Sequence, residues 1–157
     1  MRTLVAVFLL ISSACSEQPA TSVLIARHRT ATCVPMTAPP NMSGRSPLRE
    51  WHETITLRDG SEVRLDGANM VGGRITATYP GDGQAVIVAN AGDYVYPYDV
   101  RFDRPADRLY VATGGLAGGL VTRYFLFEYD LHERRLVAKR RVNQRDLPVM
   151  CPDTRVK

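Results

Sequence analysis

One stretch, Thr122 to Val142, does most to limit what this chain can fold into; it reads TRYFLFEYDLHERRLVAKRRV. Its first arm, Arg123 to Asp130, is aromatic and β-prone, as strands prefer. In the second arm, Arg135 to Val142, Leu136, Ala138 and Val142 point one way, and Arg135, Lys139 and Arg141 point the other. A loop of Leu131-His132-Glu133-Arg134 sets Asp130 opposite Arg135, Tyr129 opposite Leu136 and Phe127 opposite Ala138, which keeps apolar residues on one face. The stretch is a β-hairpin, and it implies a fold class rather than a function.

The rest of the chain from Trp51 onward repeats that grammar. Glu53 to Arg58 and Glu62 to Leu65 flank Asp59-Gly60-Ser61. A three-residue loop there pairs Leu57 with Val63, Ile55 with Leu65 and Arg58 with Glu62. Arg74 to Tyr79 alternates, with Ile75, Ala77 and Tyr79 inward. Ala85 to Ala89 is apolar on both faces and reads as a central strand. Tyr98 to Asp103 and Arg108 to Thr113 make a further hairpin around Arg104-Pro105-Ala106-Asp107. This hairpin and the first share a pattern: Phe102-Asp103 and Arg108-Leu109 match Tyr129-Asp130 and Arg135-Leu136 at the same spacing. The expectation is an all-β domain, an antiparallel meander of about seven or eight strands curled into a sandwich or a partly open barrel. No segment has the pattern of an amphipathic helix of three turns; Val23 to Ala26 reads equally as an edge strand or a helical turn.

The N-terminus carries the most specific signal. Arg2 is a short positive region, and Leu4 to Ile11 is an apolar run too short to span a bilayer. Ser12-Ser13-Ala14 and then Cys15 follow. This resembles the lipobox of bacterial lipoproteins, with Ser12 where Leu is most usual; the resemblance covers residues 1–16 only. It implies cleavage before Cys15, diacylglycerol on the Cys15 sulfur and an acyl chain such as palmitate on its amino group. Ser16, rather than Asp, implies sorting to the outer membrane, facing the periplasm. An ordinary secretory signal cleaved near Ala14 or Ser16 is the alternative, and leaves a periplasmic or secreted protein. The division that follows is a signal peptide over 1–14, a tether and irregular segment over 15–50, and a β domain over 51–157. Glu17 to Arg49 is rich in Pro, Ser and Thr, which suits a tether.

Composition adds bounds. The chain has 157 residues, 45% of them hydrophobic, enough for one domain with its own core. The net charge of +4 favours anionic surfaces, such as lipid head groups. Nucleic acid is not the expected partner, because the basic residues are spread along strands without a recognised binding motif. Besides Cys15 there are two cysteines, Cys33 and Cys151. An even pair in an exported chain predicts a disulfide.

No catalytic set is visible, and the residues point to no cofactor and no metal. His28, His52 and His132 lack partners at metal-ligand spacing. Glu128 and Asp130 share a strand face, but their position near Arg135 reads as cross-strand charge pairing rather than acid–base chemistry. Two stretches remain as a possible binding surface. Tyr94, Tyr96 and Tyr98 alternate and could form a strip, or pack at a rim with Pro97 marking an edge or bulge. Gly114, Gly115, Gly118 and Gly119 crowd one segment; with a strand after it, this is not a phosphate loop and reads as a mobile connection. Arg135, Lys139 and Arg141 suit either an anionic membrane surface or the protection of an edge strand. The expected function is a small, non-enzymatic envelope lipoprotein with an unknown protein or envelope partner, held to a membrane at Cys15. The alternative is a periplasmic ligand-binding module or an inhibitor or immunity-type protein against a secreted enzyme.

Overall fold

The structure, a computed structural model, describes residues 19–34, 49–69, 74–90, 95–117, 120–148 and 151. Among the described residues one α-helix, α1 (Thr21–Thr30), precedes nine strands: β1 (Thr32–Cys33), β2 (Arg49–Thr56), β3 (Glu62–Asn69), β4 (Arg74–Thr78), β5 (Val86–Asn90), β6 (Val95–Asp103), β7 (Arg108–Ala117), β8 (Leu120–Asp130) and β9 (Arg135–Val142). They form two antiparallel sheets, one of five strands in the order β1-β6-β7-β8-β9 and one of four in the order β2-β3-β4-β5. The all-β expectation holds in its sandwich form, with no closed barrel among the described residues.

Alternation builds the four-stranded sheet. Trp51, Ile55, Val63, Leu65, Ile75 and Ala77 are buried, while His52, Thr54, Arg64 and Arg74 are exposed. The buried set meets Val100, Leu109, Val111, Phe127 and Tyr129 of the five-stranded sheet in one apolar cluster. Trp51 sits opposite Gly67, and a Cβ at Gly67 would overlap the indole ring. Glycine there lets the largest core side chain lie flat on the neighbouring strand.

In the five-stranded sheet the two central strands are covered on both faces. Leu109 and Val111 face the other sheet; Tyr110, Ala112, Leu126 and Ala138 join Leu24 of α1 in a second cluster. The repeated hairpin pattern has a structural meaning. Asp103 pairs with Arg108, Arg108 with Asp130, and Asp130 with Arg135, so one row of alternating charge crosses β6, β7, β8 and β9. Opposite charges side by side on neighbouring strands stabilise that register.

Four expectations are corrected. The segment read as irregular contains α1, and of the two readings left open for Val23 to Ala26 the helical one is observed. No side chain caps α1, and only Leu24 and His28, one turn apart, are buried. A ten-residue helix with so little intrinsic support is held by packing against the sheet. Second, β2 and β3 pair two residues out from the expected register: Ile55 opposes Val63 and Glu53 opposes Leu65. Leu57 joins the turn instead, its N–H donating to the Ser61 carbonyl, while Asp59 accepts from the Ser61 N–H and hydroxyl. A shift of two preserves every inward side chain. Third, a bulge between Glu128 and Tyr129 places Ala138 opposite Glu128 and Lys139 opposite Phe127, although Asp130–Arg135 and Tyr129–Leu136 pair as expected. Ala138 therefore faces α1, and Leu136 is left 48% exposed. Fourth, the apolar run after Ala85 forms β5, an edge strand rather than a central one, and leaves Ile87 exposed.

Candidate functional site

The sheet face beneath α1 holds a buried polar network. Register puts Arg101, Tyr110 and Glu128 in one row across β6, β7 and β8. α1 lies over that row and lowers Arg27 and His28 onto it. Asp99, two residues before Arg101, is the centre. Its Oδ2 accepts from Arg101 Nε at 2.7 Å and lies 3.2 Å from His28 Nε2. Its Oδ1 accepts from the Cys151 N–H at 3.4 Å. Asp99 thus ties together the helix, strand β6 and the C-terminal segment. Beside it, Glu128 Oε1 accepts from Arg27 at 3.3 Å and from the Tyr110 hydroxyl at 3.4 Å. Arg101 also donates to the Arg29 carbonyl at the end of α1.

Burial and charge compete at these groups. Burial raises the Asp99 carboxyl, but His28 and the Arg101 guanidinium outweigh it and hold the group below the usual carboxylate range. Tyr110 moves up, first through burial and then through the neighbouring Glu128 charge. His28 is 0% exposed and Asp99 1%, so a substrate would meet neither while α1 is in place. Although a histidine against an aspartate resembles half of a catalytic triad, this pair fastens the helix instead.

The disulfide closes the same layer. Cys33 and Cys151 are bonded across 118 residues, with their Cα atoms 5.6 Å apart. Asp99 and the two sulfurs lie within 4.8 Å of one another. The sulfurs are joined, so neither is a thiolate, and the trio is no metal site.

A polar cleft of about 590 Å³ opens at the end of the charge row, bordered by Arg58, Arg108, Arg135, His132 and Glu133. Buried Asp130 is part of its wall, and buried Asp107 holds Arg58, another of its lining residues. Asp107, in the left-handed conformation at φ 50°, accepts from the Arg58 N–H and faces its guanidinium at 3.3 Å. Asp130 accepts from the Glu133 N–H and pairs with Arg108 at 2.7 Å. A smaller groove of about 190 Å³ lies between β1 and β2, lined by Thr32, Val34, Thr54 and Phe102 among others.

No family model, curated protein or solved structure matches this chain. The site must be read from its own residues.

Among the residues singled out in the sequence, Cys15, Tyr94, Gly118 and Gly119 lie outside the described residues. Tyr96 and Tyr98 fall in β6, described in backbone only, with a register shift between Pro97 and Asp99. Tyr96 opposes Gly114, Gly114 opposes Tyr124, and Val95 opposes Gly115. The tyrosine stretch and the glycine run are therefore neighbours at one end of the sheet. Gly114 and Gly115 belong to β7 rather than to a connection. Glu128 and Asp130 do form ion pairs, but with Arg27 and Arg108 rather than Arg135. His52 is exposed on β2, and His132 lies 3.7 Å from Asp59. On β9, Lys139 sits over the Phe125 and Phe127 rings at 5.2 and 5.1 Å. Sequence reasoning missed His28, Asp99 and Arg101. One faint signal was available, His28 four residues after Leu24, which places both on one helix face.

Proposed function

We propose that this chain is an exported, non-enzymatic module of the cell envelope, anchored to a membrane by lipid on Cys15, which works by presenting the surface of a rigid β sandwich to a protein or envelope partner. The observation that carries the reading is the Cys33–Cys151 disulfide, which staples the first described layer of the chain to its last described residue. Such bonds persist in oxidising compartments, where a lipobox-type leader would deliver the chain. Removing a bond that closes so long a loop typically costs about 2–5 kcal/mol in a small exported domain. Facing the periplasm from the outer membrane is the placement that Ser16 favours.

The anchor is tested by growing cells on a palmitate analogue and comparing wild type with Cys15→Ala. Label is expected on the wild type alone, and equal labelling of both ends the lipoprotein reading. A second reading, a ligand-binding or inhibitor module, draws on the adjacency of Tyr96 and Gly114 across β6 and β7. Cross-linking in intact cells followed by a pull-down separates the two. A stoichiometric soluble enzyme favours the inhibitor, and envelope components favour the anchored module.

A further inference from the structure

We propose that the α1 layer is the face by which this domain lies on an anionic phospholipid bilayer, with the four-stranded sheet turned away from it. The inference rests on the lipid anchor proposed above and adds an orientation to it. Residues 16–20, five in all, separate Cys15 from the first residue of α1. A chain extends by at most about 3.6 Å per residue, so the Thr21 Cα lies within about 22 Å of the Cys15 Cα. α1 packs on the face of the five-stranded sheet opposite the four-stranded one. Two layer spacings of roughly 10 Å each put the outer sheet on the order of 20 Å beyond the helix axis. A tether of that length does not also pass around the sandwich edge. The expected long tether over 15–50 is in effect this short one, because α1 is docked.

Charge selects the same face. Around α1 the outward side chains include Arg27 and Arg29 of the helix, Arg140 of β9 and Arg145 of the following turn. Arg29 donates to the Asp146 carbonyl, which brings that turn beside the helix. With the buried network included, the layer holds Arg27, Arg29, Arg101, Arg140 and Arg145 against Asp99, Glu128 and Asp146, five cations against three acids. On the outer face of the four-stranded sheet, Arg64 and Arg74 are balanced by Glu62 and Asp66. Anionic head groups attract the first face and not the second. Val23, 42% exposed in the first turn of α1, adds an apolar contact at the interface.

The test uses the full lipidated chain reconstituted into vesicles of phosphatidylcholine with phosphatidylglycerol, and into phosphatidylcholine alone. A fluorophore is placed by Ser22→Cys on α1 or by Thr54→Cys on the outer sheet, both exposed positions. Quenching by head-group nitroxide lipids is then read. Quenching at position 22 should exceed that at 54 by about two-fold or more in anionic vesicles, and the difference should shrink with salt over the Debye range. Arg29→Glu with Arg145→Glu should reduce it as well. Equal quenching at the two positions, a reversed order, or no response to charge reversal overturns the orientation. A mass spectrum of the same preparation keeps the two readings apart. An unlipidated Cys15 removes the anchor and the orientation together, whereas a lipidated Cys15 with the wrong quenching order removes only the orientation.

Discussion

On one side of the five-stranded sheet, Leu109, Val111, Phe127 and Tyr129 meet Trp51, Val63, Leu65 and Ile75. On the other, the intervening positions carry Tyr110 and Glu128, with Arg27 and His28 above them and Asp99 and Arg101 alongside. The same two strands supply both faces, one closed by apolar packing and the other by a smaller apolar cluster around Leu24 with a buried charge network beside it. Apolar packing stabilises in proportion to the area removed from water and tolerates imprecise partners. A buried ion network adds less net energy, because desolvation offsets the attraction, but each member depends on the others. The sheet–sheet face therefore supplies stability, and the helix face fixes where α1 and the disulfide-bonded C-terminal segment sit.

The largest expected effect breaks the apolar face. Phe127→Ala should cost ~3–5 kcal/mol through lost transfer energy and a cavity. Against a total of about 5–15 kcal/mol for a small domain, that abolishes or nearly abolishes folding. Chemical denaturation of the purified domain measures it, and a variant that melts like wild type would show that this face is not the core.

The helix face responds differently to one change and to three. Asp99→Ala removes the nearest anion of the buried Arg101 guanidinium and should cost roughly 3 kcal/mol. Replacing Asp99 and His28 by Leu and Arg101 by Met together should recover most of that loss, since apolar side chains of similar volume need no charge partner. A triple variant less stable than Asp99→Ala would place the network among the main sources of stability and erase the contrast between the faces.

Acid sharpens the same contrast. The Asp99 carboxyl is held below its ordinary value of 3.8 in the folded state. A depressed carboxyl contributes stability that is present above the unfolded value and is lost as pH falls through the folded one. The domain should therefore lose stability below about pH 4, and Asp99→Asn should flatten that part of the profile. Alkali does not discriminate, because burial raises both Tyr79 on the apolar side and Tyr110 under the helix. Both contributions decline as pH rises above about 10. Thermal unfolding across pH reads both limbs, and an acid limb unchanged in Asp99→Asn would shift the cause to other carboxylates.

The apolar face was readable in advance because it obeys a period of two. Ile75 and Ala77, or Ile55 and Val63, announce their side of the sheet by alternation alone, and a register error of two residues between β2 and β3 did not move any of them. The charge row was readable too, since Asp103–Arg108 and Asp130–Arg135 repeat at one spacing. The polar face left no such trace. Asp99 and His28 are 71 positions apart, and nothing local distinguishes them from surface residues. The same gap hid α1, whose inward face carries a histidine where the pattern of an amphipathic helix calls for an apolar side chain. The Cys33–Cys151 bond was legible because chemistry, rather than pattern, specifies it.

The smallest effect tests the bulge in the β8–β9 hairpin, a place where the two faces exchange residues. Between Glu128 and Tyr129 the register slips, so Ala138 turns toward α1 and Lys139 comes to lie opposite Phe127, its ammonium over two aromatic rings. Arg141, two residues on, is exposed on the edge strand opposite Phe125. A cation over an aromatic face at an exposed site contributes about 0.5–1 kcal/mol, and a bare surface charge less than about 0.5 kcal/mol. Lys139→Ala should thus destabilise measurably more than Arg141→Ala, while Lys139→Met, which keeps the stem over the rings, should fall between wild type and the alanine variant. In an unbulged hairpin Ala138 would face Phe127 and Lys139 would meet no ring. Equal, negligible effects of both alanine changes in denaturation midpoint would therefore remove the bulge, and with it the placement of Ala138 beneath the helix.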